Sequence, residues 1–106
     1  MAEVKWNKRP RVLWRSAMLY GLQTFGKTTA VDFVNKTNVL VQRLEKFPKI
    51  GHPEPLLKQR KATYRSIHLL PHILIVYRYY ETSDTIRIVD IWDTRRNPIS
   101  LAKRIK

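Results

Sequence analysis

Cysteine is missing from the chain, so it has neither a disulfide frame nor a thiolate-ligated metal site, and a reducing compartment suits it. Long apolar runs are lacking too. Nothing approaches the roughly 20 apolar residues of a membrane helix, and the opening MAEVKWNKRPRV has no apolar signal core. These absences predict a soluble, cytoplasmic protein with no membrane association. No internal repeat, low-complexity tract or linker interrupts the sequence, so residues 1–106 read as one domain. A chain of this length buries about two thirds of its unfolded surface without metal or disulfide help.

Acidic residues are scarce, 8 against 21 lysines and arginines, for a formal charge of +13. A field that strong favours an anionic partner, whether nucleic acid, an acidic protein or anionic lipid. The cations also cluster, five in Lys5–Arg15, four in Lys58–Arg65 and five in Arg95–Lys106, the last two stretches without an acid. Two such clusters brought together by the fold make one phosphate-reading surface. No RNP-type aromatic motif or helix-turn-helix pattern accompanies them, which disfavours a general nucleic-acid-binding module.

The stretch Thr63–Pro98 organises the rest. Three β-branched and aromatic runs, Thr63–Leu70, Ile73–Tyr80 and Thr85–Trp92, are separated only by Pro71-His72 and by Glu81–Asp84. Strand formers joined by such short turns predict an antiparallel meander, because a parallel crossover needs a dozen or more residues. Upstream, Val4-Lys5-Trp6 reads as an edge strand, and a helix starting between Asn7 and Pro10 runs to Phe25, with Gly26 as its cap. A second helix opens at Thr28-Thr29, where Thr29-x-x-Asp32 resembles a capping box, and ends at Phe47-Pro48. Its apolar positions Ala30, Phe33, Val34, Leu40, Val41, Leu44 and Phe47 recur at helical spacing. Lys49–Leu57 reads as a loop. The predicted class is α+β, with a strand, a two-helix hairpin on one face of an antiparallel sheet (β-α-α-β-β-β), and a short basic tail. Residues 99–106 are compatible with a short helix or with a frayed end. On the middle strand Ile73, Ile75, Tyr77 and Tyr79 share one side and Leu74, Val76, Arg78 and Tyr80 the other. Both sides are partly apolar, so a protein partner is expected to cover the one the hairpin leaves bare.

The ordered set Val4–Trp6, two helices, Phe47-Pro48-Lys49-Ile50-Gly51, Tyr64-Arg65, Ile75-Val76-Tyr77 and Ile88–Pro98 resembles the RelE/ParE superfamily of bacterial toxins (plasmid stabilisation proteins), over nearly the whole chain. The resemblance implies a type II toxin, silenced by a small acidic or amphipathic antitoxin and needing no cofactor. It implies first a RelE-like ribosome-dependent endoribonuclease, with a ParE-like gyrase inhibitor or an inactive basic homologue kept for antitoxin binding as the alternatives. RelE-like members cleave messenger RNA on the ribosome; ParE-like members inhibit DNA gyrase by binding, without hydrolysis.

For the nuclease branch, the catalytic candidates are Arg65, His68, Arg95 and Arg96. Metal-free cleavage needs a base for the 2′-oxygen, cations around the pentavalent phosphate and an acid for the leaving oxygen. Arginine grips phosphate in two places and histidine titrates near neutrality. Lys58, Arg60, Lys61, Tyr64, Arg78, Trp92 and Asp93 are candidates for contacting nucleic acid or another target. Each also has a plainer role. Trp92 either stacks on a base or plugs the sheet edge, and Tyr77 either stacks or lies in the core. Asp93 pairs with Arg95 or Arg96, and His68 is a hydrogen-bonded surface histidine. His52 has no partner at metal-ligand spacing, so no metal site is expected. One departure counts against hydrolysis. Where RelE-like nucleases carry a middle-strand arginine, the chain has Ile73 or Leu74, and Arg65, Arg78 or Arg96 would have to replace it.

Overall fold

The computed structural model describes residues 1–105; Lys106, the last residue of the tail, lies outside the described residues. The elements are β1 (Glu3–Trp6), α1 (Lys8–Phe25), α2 (Lys27–Lys46), β2 (His52–Pro53), a 3-10 turn (Pro55–Leu57), β3 (Tyr64–Leu70), β4 (Ile73–Tyr80), β5 (Thr85–Asp93) and α3 (Pro98–Arg104). They build the expected α+β fold on one five-stranded sheet of order β1-β5-β4-β3-β2. β3, β4 and β5 form the antiparallel meander, and β1 lies parallel to β5.

Each helix starts and stops for a local reason. α1 follows the extended residue Asn7, and Pro10 falls in its first turn, where backbone N–H groups have no intrahelical partner. Gly26 both ends α1 and begins α2 at φ 94°, a left-handed conformation that glycine adopts without steric cost. The expected Thr29–Asp32 capping box is not formed. α2 already begins at Lys27 with no side-chain cap, and Asp32 instead pairs with Lys36 one turn on, at 3.1 Å. α2 stops at Lys46 because the next residue precedes a proline.

The hairpin lies on the sheet face that carries Ile75, Tyr77, Ile86 and Ile88, and buries Leu40 and Leu44 against it. Leu44 and Tyr77 are both 0% exposed. Trp14 of α1 stacks on Phe33 of α2 with ring centroids 5.6 Å apart, and its indole N–H donates to Thr37 Oγ1 at 2.9 Å. Beyond the sheet's edge the hairpin leaves Leu19, Tyr20, Leu22 and Phe25 exposed.

The opposite face is not left bare for a partner, as the strand pattern suggested. The chain covers much of it itself. Leu57 of the 3-10 turn, Leu101 of α3 and Ile105 just after it pack onto Val76 and Trp92, with Leu74, Val89 and Tyr64 around them. A bulge makes this second core. β4 pairs Tyr77 with Ile88 and Val76 with Asp90, so Val89 is an extra residue on β5. Past it, Asp90 and Trp92 point to the second face, although simple alternation puts them with Ile86 and Ile88. Among the described residues no helix is long and apolar enough to cross a membrane.

Candidate functional site

The four residues proposed for catalysis do not meet, and the fold does not bring Arg65 of one basic cluster together with Arg95 and Arg96 of another. Arg65, the second residue of β3, faces the hairpin side opposite Tyr77 and donates through Nη1 to the carbonyls of Gly51 (2.9 Å) and Lys49 (3.4 Å). β3 and β5 both run antiparallel to β4, so Arg95 and Arg96, just past the end of β5, sit at the other end of the sheet. Arg95 is clamped by Asp93, with Nε–Oδ1 at 3.1 Å and Nη2–Oδ2 at 2.9 Å, and Arg96 is exposed. The Arg95 guanidinium, helped by its own amide, holds the Asp93 carboxyl down at about 2. His68 lies exposed in a groove beside Asn35, Lys36, Val39 and Arg43 of α2, donating from Nδ1 to the Leu70 carbonyl at 3.3 Å.

Several proposed contact residues are occupied inside the fold. Trp92 is 3% exposed beneath α3, with the Arg104 guanidinium 5.3 Å from its ring centre, so it has no free face for a base. Tyr77 is core. Arg60 closes the C-terminal end of α3, donating from Nη2 to the carbonyls of Ala102 and Ile105 (2.8 Å for the latter) and from Nε to Ile105 at 3.2 Å. This satisfies carbonyls that a helix end leaves without partners. Arg60→Ala should cost about 1–2 kcal/mol and speed amide exchange at Ile105, while protection in β4 falls only with global stability. Lys58 and Lys61 remain exposed and free to meet an anion.

What the second face does assemble is a row of cations. Register pairs Tyr64 with Arg78, Arg78 with Arg87, and Arg87 with Lys5, so these four stand side by side across β3, β4, β5 and β1. Asn7, just past β1, accepts from Arg87 Nη1 at 3.1 Å. It also lines a hollow of about 300 Å³ with Arg9, Tyr64, Val89, Arg104 and Ile105. The Arg78 guanidinium lies 4.3 Å over the ring of Tyr80, its neighbour on the same face. Of this group, sequence reading singled out Tyr64 and Arg78. Lys5, Arg9, Arg87 and Arg104 were counted only as charge, because their adjacency is a matter of register.

Two buried carboxylates flank the row. Asp90 is 0% exposed; its Oδ1 accepts from Arg104 Nη2 at 2.7 Å and from the Ile91 amide at 2.9 Å. Its Oδ2 has Arg9 Nη1 3.8 Å away and no hydrogen bond among the described residues. Burial raises its pKa above the ordinary value, against the opposing pull of Arg104, the Ile91 amide and Arg9. Glu54, at 5% exposure, is also raised by burial, against the Leu56 amide and the Ser66 hydroxyl. Among the described residues no three His, Asp or Glu side chains gather as a metal site would require.

Residues 12–98 match the family model described as ParE toxin of type II toxin-antitoxin system, parDE. No curated protein matches the chain. Among solved structures, the chromosomal ParDE toxin–antitoxin system of P. aeruginosa superposes with a TM-score of 0.67 at 17% identity, covering 88% of this chain and 96% of that one. A YoeB/ParE toxin from Agrobacterium tumefaciens gives 0.61 at 20% identity, covering 86% and 96%. A metal-bound toxin from Helicobacter pylori gives 0.59 at 21%, covering 90% and 97%. At these identities the superpositions establish a shared fold. The family model spans most of the sequence, from the first turns of α1 to the start of α3, and on that match the chain belongs to the ParE toxin family of type II toxin–antitoxin systems.

Proposed function

We propose that this toxin acts in the cytoplasm by binding and poisoning DNA gyrase, without hydrolysing RNA. One observation carries the choice: the residues nominated for metal-free cleavage are dispersed. Arg65 is tied to loop carbonyls on the hairpin side, His68 is against α2, and Arg95 is locked to Asp93 at the far end of the sheet. Ile73 and Leu74, the two residues that stand where nuclease-like relatives carry a middle-strand arginine, are both apolar and pack against the two cores. An apolar side chain cannot stabilise a phosphorane, and losing one such donor typically costs about 3–4 kcal/mol of barrier.

The antitoxin belongs on the opposite side of the molecule. Between the hairpin and the end of the sheet runs an apolar groove of about 410 Å³, with Met18, Phe25, Phe33, Leu70 and Ile73 among its walls and Arg95 at its rim. An amphipathic helix with acidic flanks suits this groove on a chain of formal charge +13.

The test uses purified toxin in two assays. Added to gyrase, ATP and relaxed plasmid, it should block supercoiling and accumulate cleaved DNA. Added to a translating extract, it should leave messages uncut. In-frame message cleavage with gyrase unaffected would overturn the reading in favour of the ribosome-dependent nuclease.

A further inference from the structure

The row of cations on the second face is costly to build. Arg78 and Arg87 stand directly opposite each other on neighbouring strands, a placement in which like charges destabilise a sheet. Both are half-buried, and among the described residues neither has a carboxylate within 4 Å. Arg78 is steadied by the Tyr80 ring and Arg87 by the Asn7 carbonyl, and neither contact neutralises charge. Lys5 extends the row on β1, and its ion pair with Glu3 is long, 3.9 Å between exposed groups. A sheet this short gains nothing in stability from three adjacent cations. Their presence asks for an anion from outside.

We infer that this row, Lys5–Arg87–Arg78 with Arg9 at its side, is a binding surface for the phosphodiester backbone of a single nucleic-acid strand. The cations succeed one another at the interstrand spacing of about 4.8 Å, forming a line rather than a point, which fits a polymer of regularly spaced charges. Asn7 joins the line to the hollow beside it, where Arg9 and Tyr64 form part of the wall. Tyr64 ends the row, and Tyr80 stands one residue pair along β4 with its ring against Arg78. Cationic tracks bordered by aromatic rings are how unpaired bases and their backbone are held together, the rings stacking on bases while the charges follow phosphates. An acidic peptide would use the charges but has no need of the rings. The surface is separate from Arg65, His68, Arg95 and Arg96, and the inference does not rest on the gyrase reading.

The experiment is fluorescence anisotropy of the full toxin with labelled twelve-nucleotide oligo-dT and oligo-U, between 50 and 200 mM salt. If Lys5, Arg9, Arg78 and Arg87 each neutralise one phosphate, log K should fall against log salt with a slope of about −3, at roughly −0.7 per contact for single strands. The pair Arg78→Gln/Arg87→Gln should weaken binding about tenfold and flatten the slope by about 1.4, one contact's worth per residue. An equal charge change on the helical layer, Lys27→Gln/Lys46→Gln, should flatten it less than half as much. Arg78→Gln alone should bind more weakly yet melt no lower than the wild type, because it relieves repulsion; it serves if the double variant fails to fold. Either oligonucleotide binding in this pattern supports the inference and identifies the preferred strand. It is overturned if the row variants match the helical-layer control, or if a poly-glutamate peptide of equal length displaces the oligonucleotide at lower concentration than unlabelled oligonucleotide does.

Discussion

Gly51→Ala is expected to lower the unfolding free energy by about 3 kcal/mol, near the top of the range for overpacking a core. The reason is proximity. A Cβ built on Gly51 would sit 2.8 Å from the Ser66 carbonyl oxygen, 2.8 Å from the Tyr77 hydroxyl and 2.9 Å from the Tyr77 ring. None of these can swing aside: Ser66 O belongs to β3 backbone, and Tyr77 is 0% exposed. The same residue is a knot of hydrogen bonds. Its amide donates to Tyr77 Oη at 2.9 Å and its carbonyl accepts from Arg65 at 2.9 Å, which ties the loop after α2 to the sheet. Displacing it strains both. At about 4–8 °C per kcal/mol for a domain of this size, the midpoint should fall by about 12–24 °C. Tyr77→Phe/Gly51→Ala should cost less than the two single changes added together, since removing the hydroxyl relieves one of the three clashes. Denaturant melts of the four proteins check this. A cost below about 1 kcal/mol for Gly51→Ala would mean that the loop yields and that Gly51 is no anchor.

Much of the fold was legible because periodicity carried it. α2 and the three meander strands fall within a residue or two of their expected bounds, each being long enough for its period to show. β2 was not legible: two residues, His52–Pro53, have no period, and they pair with β3 only because the loop is tied down. α3 is hard to read from sequence because seven residues hardly nucleate a helix in isolation. It forms through its context, with Asn97 Oδ1 accepting from the Ile99 amide at 3.0 Å and Arg60 closing the other end. The site was the harder part. Arg65 shares strand parity with Ile67 and Leu69, which put it on the hairpin side from the start, so its grouping with the tail arginines could not survive the pairing of the strands. The cationic row depends on β1, β5 and β4 being in register, and no single segment encodes that. The Val89 bulge hid the rest. By shifting parity within β5 it carries Asp90 and Trp92 to the face where α3 closes over them, and alternation read along β5 alone gives the wrong side.

Asp90→Ala should destabilise the protein by about 2–3 kcal/mol and free α3 first. Breaking a buried ion pair typically costs about 3–5 kcal/mol. That figure is discounted here because the Arg104 side chain is 24% exposed and can turn towards water. The loss has a location. Arg104 lies in the last turn of α3, and its bond to Asp90 pins the helix whose Leu101 and following Ile105 cover Val76 and Trp92. Amide exchange at Ile105, which donates to Leu101, should therefore accelerate more than exchange in β4. Acidity supplies a second signature of opposite sign to the usual carboxylate. Burial raises the Asp90 pKa, so the folded state holds this proton more tightly than the unfolded chain does. Ionising Asp90 thus costs stability. The cost is absent below the unfolded value of 3.8 and grows as pH rises from there through the raised folded value. Asp93 runs the other way: held at about 2 by Arg95, it contributes stability above 3.8 that disappears as pH falls towards 2. Asp90→Asn should remove the first dependence and keep the second, so wild type and variant should differ more at neutral pH than at pH 4. Parallel pH–stability curves for the two proteins would show that Asp90 titrates alike folded and unfolded.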